Sequence, residues 1–357
     1  MAMAMMRAAH IVSVLVVTVL SETLSTDVYP LSTLPPALHS PFQDPRICPQ
    51  ITEYCFSYDR TSIIGPDNWD LVCDTSPCFG GSNQSPVLIY PKLVKYFCDP
   101  YHRLGYPPSH VVTGLLENDG YYPNIAGYDM ASAVLQGVPG YTDCRFMFSS
   151  MHIHVGGAGA RHGTENRVNG KRYDGEMHLI NEREGGKGSG SVAGQAVVAV
   201  FLSTRYGQHS PQLDDILNRL HGIQNYTGDH VCTESPCTRR MKSRMMNRMA
   251  NQRACPHFAS GFGNCGGLKV SFNPDQLLPP SRDFYYYYGS LTTPTLSESV
   301  LWQVMMEPLK ITRKQLALIR AMETRFPGKY LADNGNLRPT QALGGRRILA
   351  NCCHNKY

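Results

Sequence analysis

Apolar positions along the chain gather into short runs broken by Gly, Pro and Asn. The runs are PVLIY (86–90), FMFSSMHIHV (146–155), GEMHLI (175–180), QAVVAVFLS (195–203), LKVSFN (268–273), YYYYGSL (285–291) and VLWQVMM (300–306). They are rich in β-branched and aromatic residues and bounded by turn formers, which predicts strands. Helical spacing occurs at Gln212–Ile223, where Leu213, Ile216, Leu217, Leu220 and Ile223 share a face, and again near Thr312–Thr324. No internal repeat is present. The pattern predicts one β-rich domain with two modest helices.

The ends of the chain read differently. Arg7 precedes an apolar run, Ile11–Leu20, too short to span a bilayer comfortably and suited to a secretory signal peptide over 1–24. A Pro-rich stretch over 25–47 predicts an extended arm. The folded domain is expected over 48–347, with an insert at about 227–267 and a tail at 348–357. No later segment is long and apolar enough to cross a membrane, so the mature protein is expected to be secreted.

Composition supports that compartment. Twelve Cys, with 32 Gly, 25 Pro and 20 Tyr, fit a loop-rich, oxidised protein. A net charge of +5 gives no case for a nucleic-acid partner. The charge is local: Arg239, Arg240, Lys242, Arg244, Arg248 and Arg253 lie in a run without acids, flanked by Cys237 and Cys255, and exceed the whole net excess. Asn225-Tyr226-Thr227, at the edge of this insert, fits a glycosylation sequon.

The candidate chemistry sits in MHIHV and GEMHLIN. Side chains at i and i+2 of a strand share a face, so His152 and His154 project together, as do Glu176 and His178. Three imidazoles from adjacent strands leave an open tetrahedral position, the pattern of a catalytic Zn2+ site. Glu176 is placed to accept a ring N–H from a ligand histidine. A cupin-type iron or manganese site also uses H-x-H but wants a carboxylate a few residues onward. Here Gly156, Gly157, Ala158 and Gly159 follow, and the first acid is Glu165. Spacing therefore leans to zinc.

The text FSYDRTSIIGPDNW, NQSPVLI, MHIHVG, GTENRVNGKRYDGEMHLI, VVAVFL, YGSLTTPTLSESVLW and LRPTQAL resembles the α-type carbonic anhydrases, in that family's order, from about Phe56 to Arg346. The resemblance implies a mostly β, α+β fold: a large central, mainly antiparallel twisted sheet with peripheral helices. It implies a zinc enzyme hydrating carbon dioxide reversibly to bicarbonate and a proton. His152, His154 and His178 match the zinc ligands. Thr292 matches the threonine that accepts a hydrogen bond from the attacking hydroxide, and Glu165 the carboxylate to which it donates. Ile180, Val197, Leu291 and Thr293 match the substrate pocket.

Four departures from the family stand out. The proton-shuttle histidine is replaced by Tyr121, a poor relay at neutral pH, with Tyr122 the alternative if the alignment slips by one. Ser150 stands where a glutamine supports the first ligand, and Val155 replaces the tryptophan after H-x-H. The second cysteine of the usual extracellular disulfide is missing at Thr295-Leu296, so Cys78 must pair elsewhere. Cys48 and Cys55 before FSYDR, together with the basic segment, resemble nacrein-type anhydrases of mollusc shell matrix, without their Gly-x-Asn repeat. Two functions are thus expected: a secreted enzyme supplying calcium carbonate deposition, or a matrix protein binding mineral or acidic polymers through its insert.

Overall fold

A computed structural model describes residues 56–62, 64–69, 81–97, 103–127, 133–185, 193–227 and 267–352. All of these fall within one compact unit, Phe42–Tyr357. The expected signal peptide, Pro-rich arm and basic run lie outside the described residues, as do all the cysteines except Cys144 and Cys352. No disulfide is found among the described residues.

Ten strands form the spine of the main sheet. In chain order they are β1 (Lys95–Phe97), β2 (Val112–Asn118), β3 (Pro123–Gly127), β4 (Phe146–Val155), β5 (Gly175–Arg183), β6 (Gln195–Ser203), β7 (Leu268–Phe272), β8 (Phe284–Gly289), β9 (Val300–Met305) and β10 (Leu349–Asn351). Their spatial order is β7-β2-β3-β4-β5-β6-β9-β8-β10-β1. Neighbours are antiparallel except at β6/β9 and β10/β1, so the sheet is mixed but mainly antiparallel.

The central strands are covered on both faces, which explains why their sequence reads as continuous apolar text rather than as alternation. On β6, Val198, Val200 and Leu202 join one core, while Val197, Ala199 and Phe201 join the other. The same parity governs β4 and β5. Met151, Ile153, Met177 and Leu179 fill the first core. His152, His154, Glu176 and His178 face the opposite way. A register shift between Phe148 and Ser150 bends β4 just before the histidines.

The helical segments are shorter than their periodicity suggests. α1 spans Pro211–Asn218, opened by Ser210, whose hydroxyl accepts the Leu213 N–H, and by Pro211 at the first position. A tighter 3-10 turn, Arg219–Gly222, then completes the predicted apolar face, and Leu213, Ile216, Leu217, Leu220 and Ile223 are all buried. α2 spans Arg313–Arg320 behind a Thr312/Gln315 capping box.

β2 and β3 are joined by a tight turn at Asp119–Tyr122. Asn118 Oδ1 accepts the Gly120 N–H, and Asp119 Oδ1 accepts those of Tyr121 and Tyr122, at 2.9, 2.7 and 2.8 Å. Gly120 has φ +86°, and a Cβ there would come within 2.2 Å of Arg325 Cγ, so glycine is required. This turn sends two consecutive tyrosines to different places, of which only Tyr122 reaches the histidines.

Candidate metal centre

Pairing of β4 with β5 sets His152 directly opposite His178, and His154 opposite Glu176. One candidate ligand atom from each of His152, His154 and His178 can be chosen so that all lie within 4.8 Å of one another. His154 and His178 are buried, and His152 is half-buried. Burial disfavours the imidazolium, holding the pKa of both His154 and His178 near 3 and that of His152 well below its ordinary value. All three rings are therefore neutral at physiological pH, as metal ligation requires.

Hydrogen bonds select the tautomers. His154 Nδ1 lies 2.6 Å from the Asn336 carbonyl, an acceptor only, so it carries the proton and Nε2 holds the lone pair. That Nε2 is buried and has no hydrogen-bond partner. His178 Nε2 lies 2.9 Å from Glu176 Oε1, which leaves Nδ1 as the lone-pair atom, 3.2 Å from His152 Nε2. Two fixed lone pairs and a third nitrogen, whose tautomer no outside contact sets, thus face one another. An orphaned buried nitrogen within a three-imidazole set fits a divalent zinc ion.

Asn166 holds Glu176 in place. Its side-chain amide donates to Oε1 at 2.7 Å and its backbone N–H to Oε2 at 2.9 Å. Burial raises the Glu176 pKa to about 7, while these bonds oppose the rise. Tyr287 in turn donates to Asn166 Oδ1 at 2.7 Å. Asn166 and Asn336 were not singled out from sequence. Each is a buried polar residue beside a recognisable motif, in GTEN and GNLRPT, which is the only sequence signal they offer.

Glu165 lies behind the ligands. Its Oε1 accepts the Arg338 backbone N–H at 2.9 Å, and its Oε2 lies 3.6 Å from His154 Nε2 without a hydrogen-bond partner. Burial raises its pKa well above the usual carboxylate range, and the adjacent Thr292 hydroxyl is the strongest influence opposing that rise. Thr292 is buried, Leu291 and Thr293 are half-buried, and all three follow β8. Ile180 pairs directly with Val197, and both belong with Leu291 to the core on the histidine side of the sheet. Trp302, not foreseen as a site residue, packs its ring 4.9 Å from that of His178.

The two tyrosines separate. Tyr121 is buried in an aromatic cluster, stacked on Phe56 with centroids 4.0 Å apart, and its hydroxyl accepts the Phe56 N–H at 3.2 Å. Burial raises the pKa of this phenol far above its ordinary value. It is Tyr122 that lies against the histidines, 4.4 Å from His152 and 5.7 Å from His154 between ring centroids. Ser150 faces the same side of β4 as His152, yet its side chain makes no hydrogen bond among the described residues. Asn225 is exposed.

Comparison with known proteins agrees with this geometry. The description "eukaryotic-type carbonic anhydrase" matches residues 64–251 and 262–352. A carbonic-anhydrase-1-type protein of Lottia gigantea is 30% identical over 334 residues, covering 85% of this chain and 84% of its own length. Carbonic anhydrase 1 of Monodelphis domestica is 29% identical over 295 residues, covering 80% and 95% respectively. That of Oryctolagus cuniculus is 28% identical over 279 residues, covering 76% and 100%. The chain is thus a member of the eukaryotic-type carbonic anhydrase family.

Proposed function

We propose that this chain is a secreted zinc enzyme that interconverts carbon dioxide and bicarbonate, with His152, His154 and His178 as the ligands. The observation that carries this reading is the orphaned Nε2 of His154, held by the Asn336 carbonyl toward the other two imidazoles. When bound, zinc supplies a hydroxide nucleophile at neutral pH, chemistry for which carbonic anhydrase is the standard example.

The chain's own residues orient and exclude. Glu176 keeps the His178 proton on Nε2, and Asn336 keeps the His154 proton on Nδ1. Thr292 lies beside the buried Glu165 carboxylate, whose Oε2 is free to accept its hydroxyl proton; donation there would leave the Thr292 oxygen lone pairs to accept from the attacking group. Ile180, Val197 and Leu291 form an apolar wall suited to an uncharged substrate, with Thr293 at its edge. Tyr121 is held in an aromatic cluster and serves poorly as a proton relay. Proton release therefore leans on external buffer.

The tissue role is proposed from sequence resemblance alone. The acid-free cationic run at 239–253, with Cys48 and Cys55 near the start of the domain, resembles features of nacrein-type anhydrases and suits a protein working among carbonate or acidic matrix polymers, so bicarbonate supply for calcium carbonate deposition is the proposed setting. Zinc content and carbon dioxide hydration of the purified protein, with and without a sulfonamide, test the enzymatic reading. One zinc per chain with sulfonamide-sensitive activity is expected. A zinc-free, inactive protein leaves only the matrix-binding role.

A further inference from the structure

Two of the three candidate ligands are held by a hydrogen bond on the nitrogen that does not face the centre: His154 by the Asn336 carbonyl and His178 by Glu176. His152 has no such bond among the described residues. Its only hydrogen-bond contact is the 3.2 Å approach to His178 inside the cluster. What touches it from outside is the Tyr122 ring, nearly parallel at 24° with centroids 4.4 Å apart. We infer that Tyr122 is a positioning residue that holds His152 by ring stacking, in place of a hydrogen bond. This inference rests on the zinc reading proposed above.

The turn makes Tyr122 a rigid support. Its backbone N–H donates to Asp119 Oδ1 at 2.8 Å, and its carbonyl accepts the Asp119 N–H at 3.4 Å. Pro123 follows and opens β3, fixing the backbone on the other side. Asn124 pairs directly with His152, so Tyr122, two residues earlier on the same face, is its diagonal neighbour across the strands. Offset stacking fixes the tilt of a ring but leaves it free to slide in its own plane, whereas a hydrogen bond fixes its rotation. Among the three ligands, His152 is accordingly the one whose orientation depends on an apolar neighbour.

The test measures zinc release from the loaded protein to a chelator, together with the visible spectrum of the cobalt(II)-loaded form. Tyr122→Phe keeps the ring and is expected to release zinc at the wild-type rate with an unchanged cobalt spectrum. Tyr122→Leu fills much of the space without a flat face, and Tyr122→Ala empties it. Both are expected to release zinc about tenfold faster, the lower end of what losing a ligand's support costs, with altered cobalt bands. Melting of the zinc-free proteins separates this effect from misfolding, and Tyr122→Leu carries the test if Tyr122→Ala does not fold. Wild-type release from Tyr122→Leu overturns the inference while leaving the zinc reading intact. So does fast release from Tyr122→Phe, which would transfer the role to the hydroxyl. A wild-type chain that takes up no zinc removes both.

Discussion

Asn336 accepts the Nδ1 proton of His154 on its backbone carbonyl at 2.6 Å, and the rest of the residue locks the strand that carries His154. Its side-chain oxygen accepts the Val155 N–H, and its amide donates to the carbonyls of Ile153 and Tyr121, at 2.6, 3.0 and 2.9 Å. One buried asparagine thus ties β4, the tyrosine turn and a candidate ligand together.

Asn336→Ala keeps the carbonyl but leaves the Val155 N–H and two carbonyls buried without their partner. The cost is expected to be roughly 3 kcal/mol or more, in the range of three unsatisfied buried groups at about 1–3 kcal/mol each. Urea unfolding of the zinc-free protein measures it. A loss below about 1 kcal/mol would show that water replaces the amide.

Glu176→Gln retains the shape of the side chain but sets an amide donor either against the Asn166 backbone N–H or against both the Asn166 side-chain amide and the His178 proton. Zinc affinity is expected to fall about 10- to 100-fold, read by chelator competition. Unchanged affinity would mean that His178 needs no carboxylate to hold its tautomer.

Tyr121→His removes the stack on Phe56 and the acceptor of the Phe56 N–H. A stability loss of roughly 1–3 kcal/mol is expected from the lost aromatic packing and the unmade hydrogen bond. If an imidazole here relays protons, turnover becomes less dependent on buffer concentration than in the wild type. An equal response of the two proteins would remove this position from the proton path.

Asp119 tests the electrostatics of the turn. Burial raises its pKa from the ordinary 3.8 to about 6 against the opposing Tyr121 and Tyr122 N–H groups. Between these values the folded chain binds more protons than the unfolded one, so this group's contribution to stability falls as pH rises and levels off above about 6. Asp119→Asn keeps an acceptor oxygen without the titration. Relative to wild type it should gain stability from pH 4 to pH 7, by at most about 3 kcal/mol. A pH-independent difference in urea unfolding at those two values would refute the shift.

Much of this was legible in the sequence. The runs FMFSSMHIHV and QAVVAVFLS coincide with β4 and β6, because continuous apolar text flanked by turns leaves the chain few alternatives. Strand parity alone brought His152, His154, Glu176 and His178 to one face. What stayed hidden depends on contacts distant in sequence. Asn336 reaches His154 across 182 positions, and no local pattern marks it. The separation of Tyr121 from Tyr122 was likewise hidden, since it follows from the way Gly120 and Asp119 fold the turn. Helix length was overestimated because the apolar face continues through a 3-10 turn that preserves burial without α-helical bonding.

The parity of β4 limits how this protein can change in length. Adding or deleting one residue between Ser150 and Val155 would swing the imidazoles into the core filled by Met151, Ile153 and Met177 and turn those apolar side chains toward the metal. The irregularity between Phe148 and Ser150 is the nearest place where a length change can be absorbed without inverting the histidines. Length changes therefore belong in the connecting segments, while the five-residue stretch Met151–Val155 accommodates neither insertion nor deletion.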